Sequence, residues 1–368
     1  MDRKAEEGVR AVPMAVCDTA ERRPSGVGFD KPIRGRATSL AVALLSFVPL
    51  LVACAGNPTP PPSGLPSAAS ISGATPSPVR VAALKGPTTM GLVGLMDRAS
   101  RDQTAQQYSF DIQGTPDAVS GPLVAGNLDI ALIPVNLAAV LYNKTNGGVL
   151  LANVNTLGVL YIVTGDPAIT SLTDLAGRTV LNSGQGTTPQ FVIDEVLASA
   201  GLASVDVTYR SQPTEEASIL AATPTTIAVL PEPYASVVMA ANPAVHIVSD
   251  LNQAWQQDTG VPLVTACVAI RSAFADSYPG SVATFMDEYA ASVGFVNNQP
   301  DQAAPLIVAQ GLAPNADVAQ AAIPRAHIVD MRGADAKAAV SAYLNVLYAA
   351  DPTSVGGSIP DDGFYLDV

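Results

Sequence analysis

The chain has 368 residues, room for two or three domains and a sizeable core, which excludes a peptide hormone or a small disulfide scaffold. Hydrophobic residues make up 48% against 14% charged and 5% aromatic, the composition of Ala/Val/Leu-rich α/β layers rather than of global disorder. A formal charge of −13 leaves no electrostatic footprint for a phosphate backbone, so nucleic acid is a poor partner, and three cysteines with two histidines make neither a disulfide framework nor a zinc site.

Taken in chain order, residues 1–53 read as a signal peptide with extraneous residues upstream. Arg34 and Arg36 precede an apolar stretch, 40–53, broken only by Ser46 and Pro49, and this is too short for a comfortable membrane span. It ends in Leu51-Val52-Ala53-Cys54, which resembles the bacterial lipobox and implies lipidation of Cys54; the bland alternative is an apolar strand ending in an ordinary cysteine. Residues 1–33 are long for such a signal, so translation is expected to start further in. Arg22-Arg23 departs from a twin-arginine pattern at Pro24 and Ser25. From Ala55 to Pro78 there are 24 residues with no charge, seven prolines and five serines, a segment that cannot bury enough apolar surface to order itself. Residues 54–78 are therefore expected to be a lipidated cysteine and a leash, tethering the protein to the extracytoplasmic face of the cell membrane.

From Val79 onward short β-branched runs alternate with helical patterns, which predicts βαβ units and mainly parallel sheets. Strands are predicted at 79–84, 107–112, 129–133 and 149–154, and a second series at 178–182, 205–210, 225–230 and 244–248. The two series superpose at an offset of 97 to 99 residues, and their punctuation coincides. Gly86-Pro87-Thr88-Thr89 matches the turn Gly184 to Pro189, Gln113-Gly114-Thr115-Pro116 matches Gln212-Pro213-Thr214-Glu215, and Ile130 to Pro134 matches Ile227 to Pro231. Such coincidence predicts two lobes of similar topology, a clamshell with its ligand outside the carboxyl ends of the strands. Crossing strands are expected at 157–164 and 262–270, with helices over most of 271–349. Lobe 1 is then 79–160 plus part of 265–368, and lobe 2 is 161–264 plus part of the C-terminal helices.

The run Ser171-Leu172-Thr173-Asp174-Leu175-Ala176-Gly177-Arg178-Thr179-Val180 resembles the opening of the second lobe in ABC-transporter solute-binding proteins. With Gly126-Asn127-Leu128-Asp129-Ile130-Ala131 and Pro231-Glu232-Pro233-Tyr234, the chain is similar to the nitrate/sulfonate/taurine and thiamine-pyrimidine-precursor branch of that family, over about residues 79–330. The resemblance implies a type II periplasmic-binding-protein fold, capture of a small solute between the lobes, and delivery to a membrane permease and its ATPase.

Candidate ligand residues follow from the repeated strand-to-helix turns, since helix N-termini present free N–H groups and partial positive charge. The first turn offers Lys85, Pro87, Thr88 and Thr89, and the second Ser183, Gln185, Thr187 and Thr188. The bland reading of these threonines is ordinary helix caps. Lys85 is one of two lysines between 54 and 336, an available cation or an ordinary surface lysine. Asn136, Glu232 and Tyr234 occupy matching turns and supply an amide, a carboxylate and an aromatic face. Glu232 would repel a bare oxyanion and so favours an uncharged, zwitterionic or heterocyclic solute. Asn155 and Thr156 lie at the first crossing and either line the hinge or form a polar turn. Trp255 is read as a packing anchor, His246 as a satisfied strand histidine, and Glu215-Glu216 as the solvated first turn of a helix.

A monomeric binding protein, needing no cofactor and no metal, is thus expected. The rivals are a sensory or scaffolding lipoprotein of the same fold, and an enzyme, because menaquinone-precursor enzymes and pyrimidine synthases share this architecture. Against the enzyme, the chain has no Gly-x-Ser-x-Gly elbow and no Ser/His/Asp set that can be placed, so no catalytic residue is expected.

Overall fold

The computed structural model describes residues 78–368, so the expected signal peptide, the expected lipidation site Cys54 and all of the expected leash but Pro78 lie outside the described residues. In the first strand Val79, Val81 and Ala83 face one core and Ala82 another, and all four are buried. Burial on both faces is why these strands read as near-continuous apolar runs.

The first lobe begins with β1 (Val79–Leu84), α1 (Pro87–Met90), α2 (Val93–Ser100), β2 (Tyr108–Gln113), α3 (Pro116–Val124), β3 (Ile130–Pro134), α4 (Val135–Thr145) and β4 (Val149–Leu157). The chain then crosses into β5 (Leu160–Thr164), β6 (Thr179–Ser183), α5 (Thr188–Ser199), β7 (Asp206–Arg210), α6 (Pro213–Ala222), β8 (Ile227–Pro231), α7 (Tyr234–Ala241), β9 (His246–Asp250) and α8 (Leu251–Thr259). It returns through β10 (Val264–Arg271), α9 (Ser272–Ser277), α10 (Pro279–Asn298), α11 (Pro300–Ala309), α12 (Ala316–Ala322), β11 (Ile328–Met331) and α13 (Gly333–Ala350).

The strands form a six-stranded sheet, β11-β4-β10-β3-β1-β2, and a five-stranded sheet, β7-β6-β8-β5-β9. The order β2-β1-β3-β10-β4 has its counterpart in β7-β6-β8-β5-β9: in each sheet a strand arriving from the other lobe is inserted beside the third strand. The starts Val79/Thr179, Tyr108/Asp206, Ile130/Ile227 and Val149/His246 lie 97 to 100 residues apart. The expectation of mainly parallel sheets is corrected. β1 pairs parallel with β2 and β3, and β6 with β7 and β8, but β10 and β5 run antiparallel to every neighbour. A strand that enters from the opposite lobe travels in the reverse sense, and this makes both sheets mixed. The short edge strand β11 was not anticipated within the C-terminal helices; its four residues pair only with β4.

The first crossing is tight. Gly158, between β4 and β5, has no room for a Cβ against Asn252, and its carbonyl accepts from His327 Nδ1. Across the lobes Trp255 of α8 is fully buried with its ring 5.5 Å from that of Tyr343 in α13. His246 has Nε2 2.9 Å from the Ile169 carbonyl and Nδ1 3.2 Å from the Ala244 carbonyl, to which its ring N–H donates, as a satisfied strand histidine should. The cysteine at 267 is buried and free, and among the described residues no group of three or more His, Cys, Asp or Glu is placed to hold a metal.

Candidate functional site

The carboxyl ends of β6 and β7 and the N-termini of α5 and α6 border a cavity of about 470 Å³ lined by Gly184, Gln185, Thr187, Tyr209, Arg210, Ser211 and Glu215, with Pro116 of the first lobe opposite. The local sequence explains the shape. Gly184 is left-handed (φ 71°), and a Cβ there would stand 2.7 Å from the Thr187 hydroxyl, which donates to the Gly184 carbonyl at 2.6 Å. Thr187 thereby pins the turn, Pro189 starts the helix without needing an N–H partner, and Gln185 is left exposed at the rim.

Arg210, at the last position of β7, is the one cation lining this cavity. Its Nη1 donates to the Tyr209 carbonyl at 3.0 Å, and its Nε stands 3.8 Å from Glu215, a loose pair that leaves the guanidinium capacity to spare. Behind the lining lies Glu216, fully buried, with neither carboxyl oxygen in a hydrogen bond. Burial pushes its carboxyl up to about 8, against the opposing pull of Ser183 and Arg210 and with a further push from Glu215. The expectation that Glu215-Glu216 is simply a solvated turn is therefore corrected: Glu215 is exposed, whereas α6 turns Glu216 inward against β6. Tyr209 is likewise raised to about 12, chiefly by burial.

A second cavity, about 390 Å³ and mostly apolar, lies between α6 and α7 on one side and Gly311 to Pro314 on the other, and Tyr234 lines it. The lobes also touch where Gln212 lies over Gly114. These residues belong to the turns whose likeness marked the duplication.

Other candidate residues are used inside the protein. Thr88 and Thr89 both donate to the Leu84 carbonyl at 2.6 Å, so their hydroxyls hold the β1–α1 turn. Asn136 and Thr188 meet across the lobes: Thr188 Oγ1 donates to Asn136 Oδ1 at 3.2 Å and accepts from Tyr343, while Asn136 Nδ2 donates to Ser354. Asn155 accepts from the Thr156 hydroxyl at 2.9 Å, and its amide nitrogen is buried without a partner beside Tyr289 in the lobe 1 core. Ser183 is buried next to Glu216. Lys85 and Pro87 stand at the β1–α1 turn, with Lys85 exposed and its Nζ near Gly311; neither lines a cavity described above.

Glu232 is a clear correction. Its side chain is fully buried, Oε1 accepts from Arg325 Nε at 2.5 Å and Oε2 from the Ser236 N–H at 3.1 Å, and Arg325 also binds the Ser236 hydroxyl. The peptide bond from Glu232 to Pro233 is cis. This carboxylate ties the β8–α7 turn to the C-terminal segment, with each oxygen already engaged inside the protein. Asp129 plays a similar part in lobe 1. Burial alone would raise its pKa, but hydrogen bonds from Arg80 and Arg271 outweigh it and hold the carboxyl below its ordinary value.

Arg210, Tyr209, Ser211, Glu215 and Pro116 were not among the sequence candidates. A usable signal existed, because Arg210 ends a predicted strand and Pro116 belongs to the turn paired with Gln212 to Glu215.

A family model described as menaquinone biosynthesis matches residues 87–348. The chain belongs to this family. Among curated proteins none matches the sequence. Solved structures of similar fold include an ABC transporter protein from Parabacteroides distasonis, 24% identical over 79% of this chain and 99% of the other, with a TM-score of 0.67. The periplasmic aliphatic sulphonate binding protein of Escherichia coli is 14% identical over 80% and 94%, TM-score 0.63. The zinc-bound ligand binding component of an ABC-type import system from Staphylococcus aureus is 13% identical over 78% and 96%, TM-score 0.63. At such identities the likeness establishes the fold: this member of the menaquinone biosynthesis family has the two-lobed periplasmic-binding-protein architecture, and its solved neighbours are mostly binding proteins.

Proposed function

We propose that this chain is an extracytoplasmic solute-binding protein, which captures a small molecule between its lobes and delivers it to the permease and ATPase of an ABC importer. The observation that carries the reading is the polar cavity between Pro116 and the ends of β6 and β7, with a single underused guanidinium in its wall. Ligands of open α/β sheets bind at this end of the strands, and closure of one lobe on the other would sequester them. With Glu232 occupied by Arg325, its repulsion no longer counts against an anionic solute, and Arg210, set against Glu215 in the same wall, is the group that would take an oxyanion. The lipobox-like run ending at Cys54 supports attachment to the outer face of the cell membrane by a lipid, and the protein is read as a monomer.

The family's description favours a second reading, an enzyme acting on a metabolite of menaquinone biosynthesis. One experiment separates the two. The purified full-length protein is unfolded, refolded and screened by thermal shift against oxyanions, sulfonates, pyrimidines, amino acids and peptides. A micromolar solute at millimolar concentration raises stability by roughly 4 kcal/mol. A bound solute recovered unchanged by mass spectrometry after long incubation supports capture, and recovery of a converted product overturns it in favour of the enzyme.

A further inference from the structure

Three acidic side chains are buried among the described residues, and arginine matches two of them. Asp129 takes Arg80 and Arg271, and Glu232 takes Arg325. Glu216 has no hydrogen-bonded partner on either oxygen. A buried polar group left unsatisfied where its equivalents are paired calls for a specific explanation, and an isolated buried carboxylate is costly enough that the neutral acid is the cheaper form.

Its surroundings supply that explanation. α6 carries Glu215 and Glu216 in succession: the first lines the cavity 3.8 Å from Arg210 Nε, while the second turns inward among Ser183 and Arg210. The guanidinium is loosely paired with the exposed carboxylate and in no hydrogen bond or ion pair with the buried one, on which its charge acts only through space. The charged groups acting on Glu216 are Arg210 from β7 and Glu215 from α6, and β6 contributes only the Ser183 hydroxyl.

We propose that Glu216 is a positioning residue, which leaves Arg210 available to an oxyanion of the solute only while its own carboxyl is protonated. This rests on the solute-capture reading. As a neutral acid Glu216 makes no claim on the guanidinium. As a carboxylate it adds a negative charge behind the cavity wall, which draws Arg210 inward and repels an incoming anion, so both consequences oppose binding. Burial keeps the proton in place to about pH 8, so capture is strong at neutral pH and weakens on the alkaline side. Linkage requires the converse: anion binding near that pH draws a proton from the buffer onto Glu216.

The test is calorimetric titration of the full-length protein with methanesulfonate, sulfate and nitrate, none of which titrates in this range, at pH 6 to 9. The expected result is an affinity about tenfold weaker at pH 9 than at pH 6, since about nine-tenths of a group titrating near 8 is ionised there. Glu216→Gln removes the slope and binds about tenfold more tightly than the wild type at pH 9, and Arg210→Ala weakens binding at least tenfold at pH 6. An identical slope in Glu216→Gln, or an affinity indifferent to Arg210→Ala, overturns the proposal. If Glu216→Gln does not fold, the wild type decides: heats at pH 8 in two buffers of different ionisation enthalpy should report uptake of about half a proton per anion, and no uptake overturns the proposal. Should all three anions fail while an uncharged or cationic probe stabilises the protein, the role of Glu216 falls and capture stands. Silence from every class removes both.

Discussion

Replacing Glu216 by glutamine probes the electrostatics of the second lobe without any solute. In the folded protein the carboxyl titrates at about 8, against 4.5 ordinarily. Between those values the native state holds a proton that the unfolded chain has lost, so stability is greatest below the unfolded value and falls as pH rises. The slope is about 1.4 kcal/mol per pH unit, and over the whole window the loss is on the order of 5 kcal/mol, after which both states are ionised and the loss levels off. Glutamine has the same shape and does not titrate; its unpaired buried amide adds only an offset independent of pH. Urea unfolding of both proteins at unit steps from pH 5 to 9 isolates this group, because all other titrations cancel in the difference. The stability of Glu216→Gln relative to wild type should climb by about 1.4 kcal/mol per unit up to about pH 8 and then flatten. Parallel stability curves would refute the reasoning, since they would mean that Glu216 is hydrated or paired in solution.

Other substitutions examine the remaining contacts. Glu232→Gln should cost about 2–4 kcal/mol in urea unfolding, because it leaves the Arg325 guanidinium half-buried without its carboxylate, and solute affinity should stay within about twofold of wild type. A large loss of affinity with unchanged stability would return Glu232 to the binding site. Tyr343→Ala removes the ring that packs on Trp255 and the hydroxyl that reaches Thr188; it should cost about 3–5 kcal/mol and shift the emission of this sole tryptophan to longer wavelength, and an unshifted spectrum would contradict the packing across the lobes. Cys54→Ala should abolish lipid labelling and release the protein from membranes, so continued retention would contradict the lipobox reading.

Strand positions were legible because most strands are short runs rich in β-branched and apolar residues with turn residues nearby, and the ten anticipated strands lie close to those observed. The exception, β11, has only four residues and one neighbour, too little for a periodic signal. The duplication was legible for the same reason. Strand direction was not, since a continuous buried run such as Val264 to Arg271 reads the same whether it lies parallel or antiparallel to its neighbours.

The candidate site divides along a similar line. Gln185 and Thr187 were found because a Gly-rich turn before a helix is a local feature. That Arg210 is loosely paired and Glu232 fully engaged is not legible in the sequence, because both depend on contacts made in the fold. Ninety-three residues separate Glu232 from Arg325, and no local pattern announces that pairing. Adjacent glutamates on one helix turn look alike in one dimension, yet the helix rotates about 100° between them and sends one to solvent and one into the lobe.

By itself the sequence determined the α/β class, the two similar halves, the crossing points and the strand-to-helix turns, because all of these follow from periodicity and backbone preference over a few residues. Only the tertiary structure decided which polar side chains at those turns are free. Whether a carboxylate finds an arginine, as Glu232 and Asp129 do, or is buried without one, as Glu216 is, depends on which distant elements the fold brings within about 3 Å, the range over which hydrogen bonds and ion pairs act.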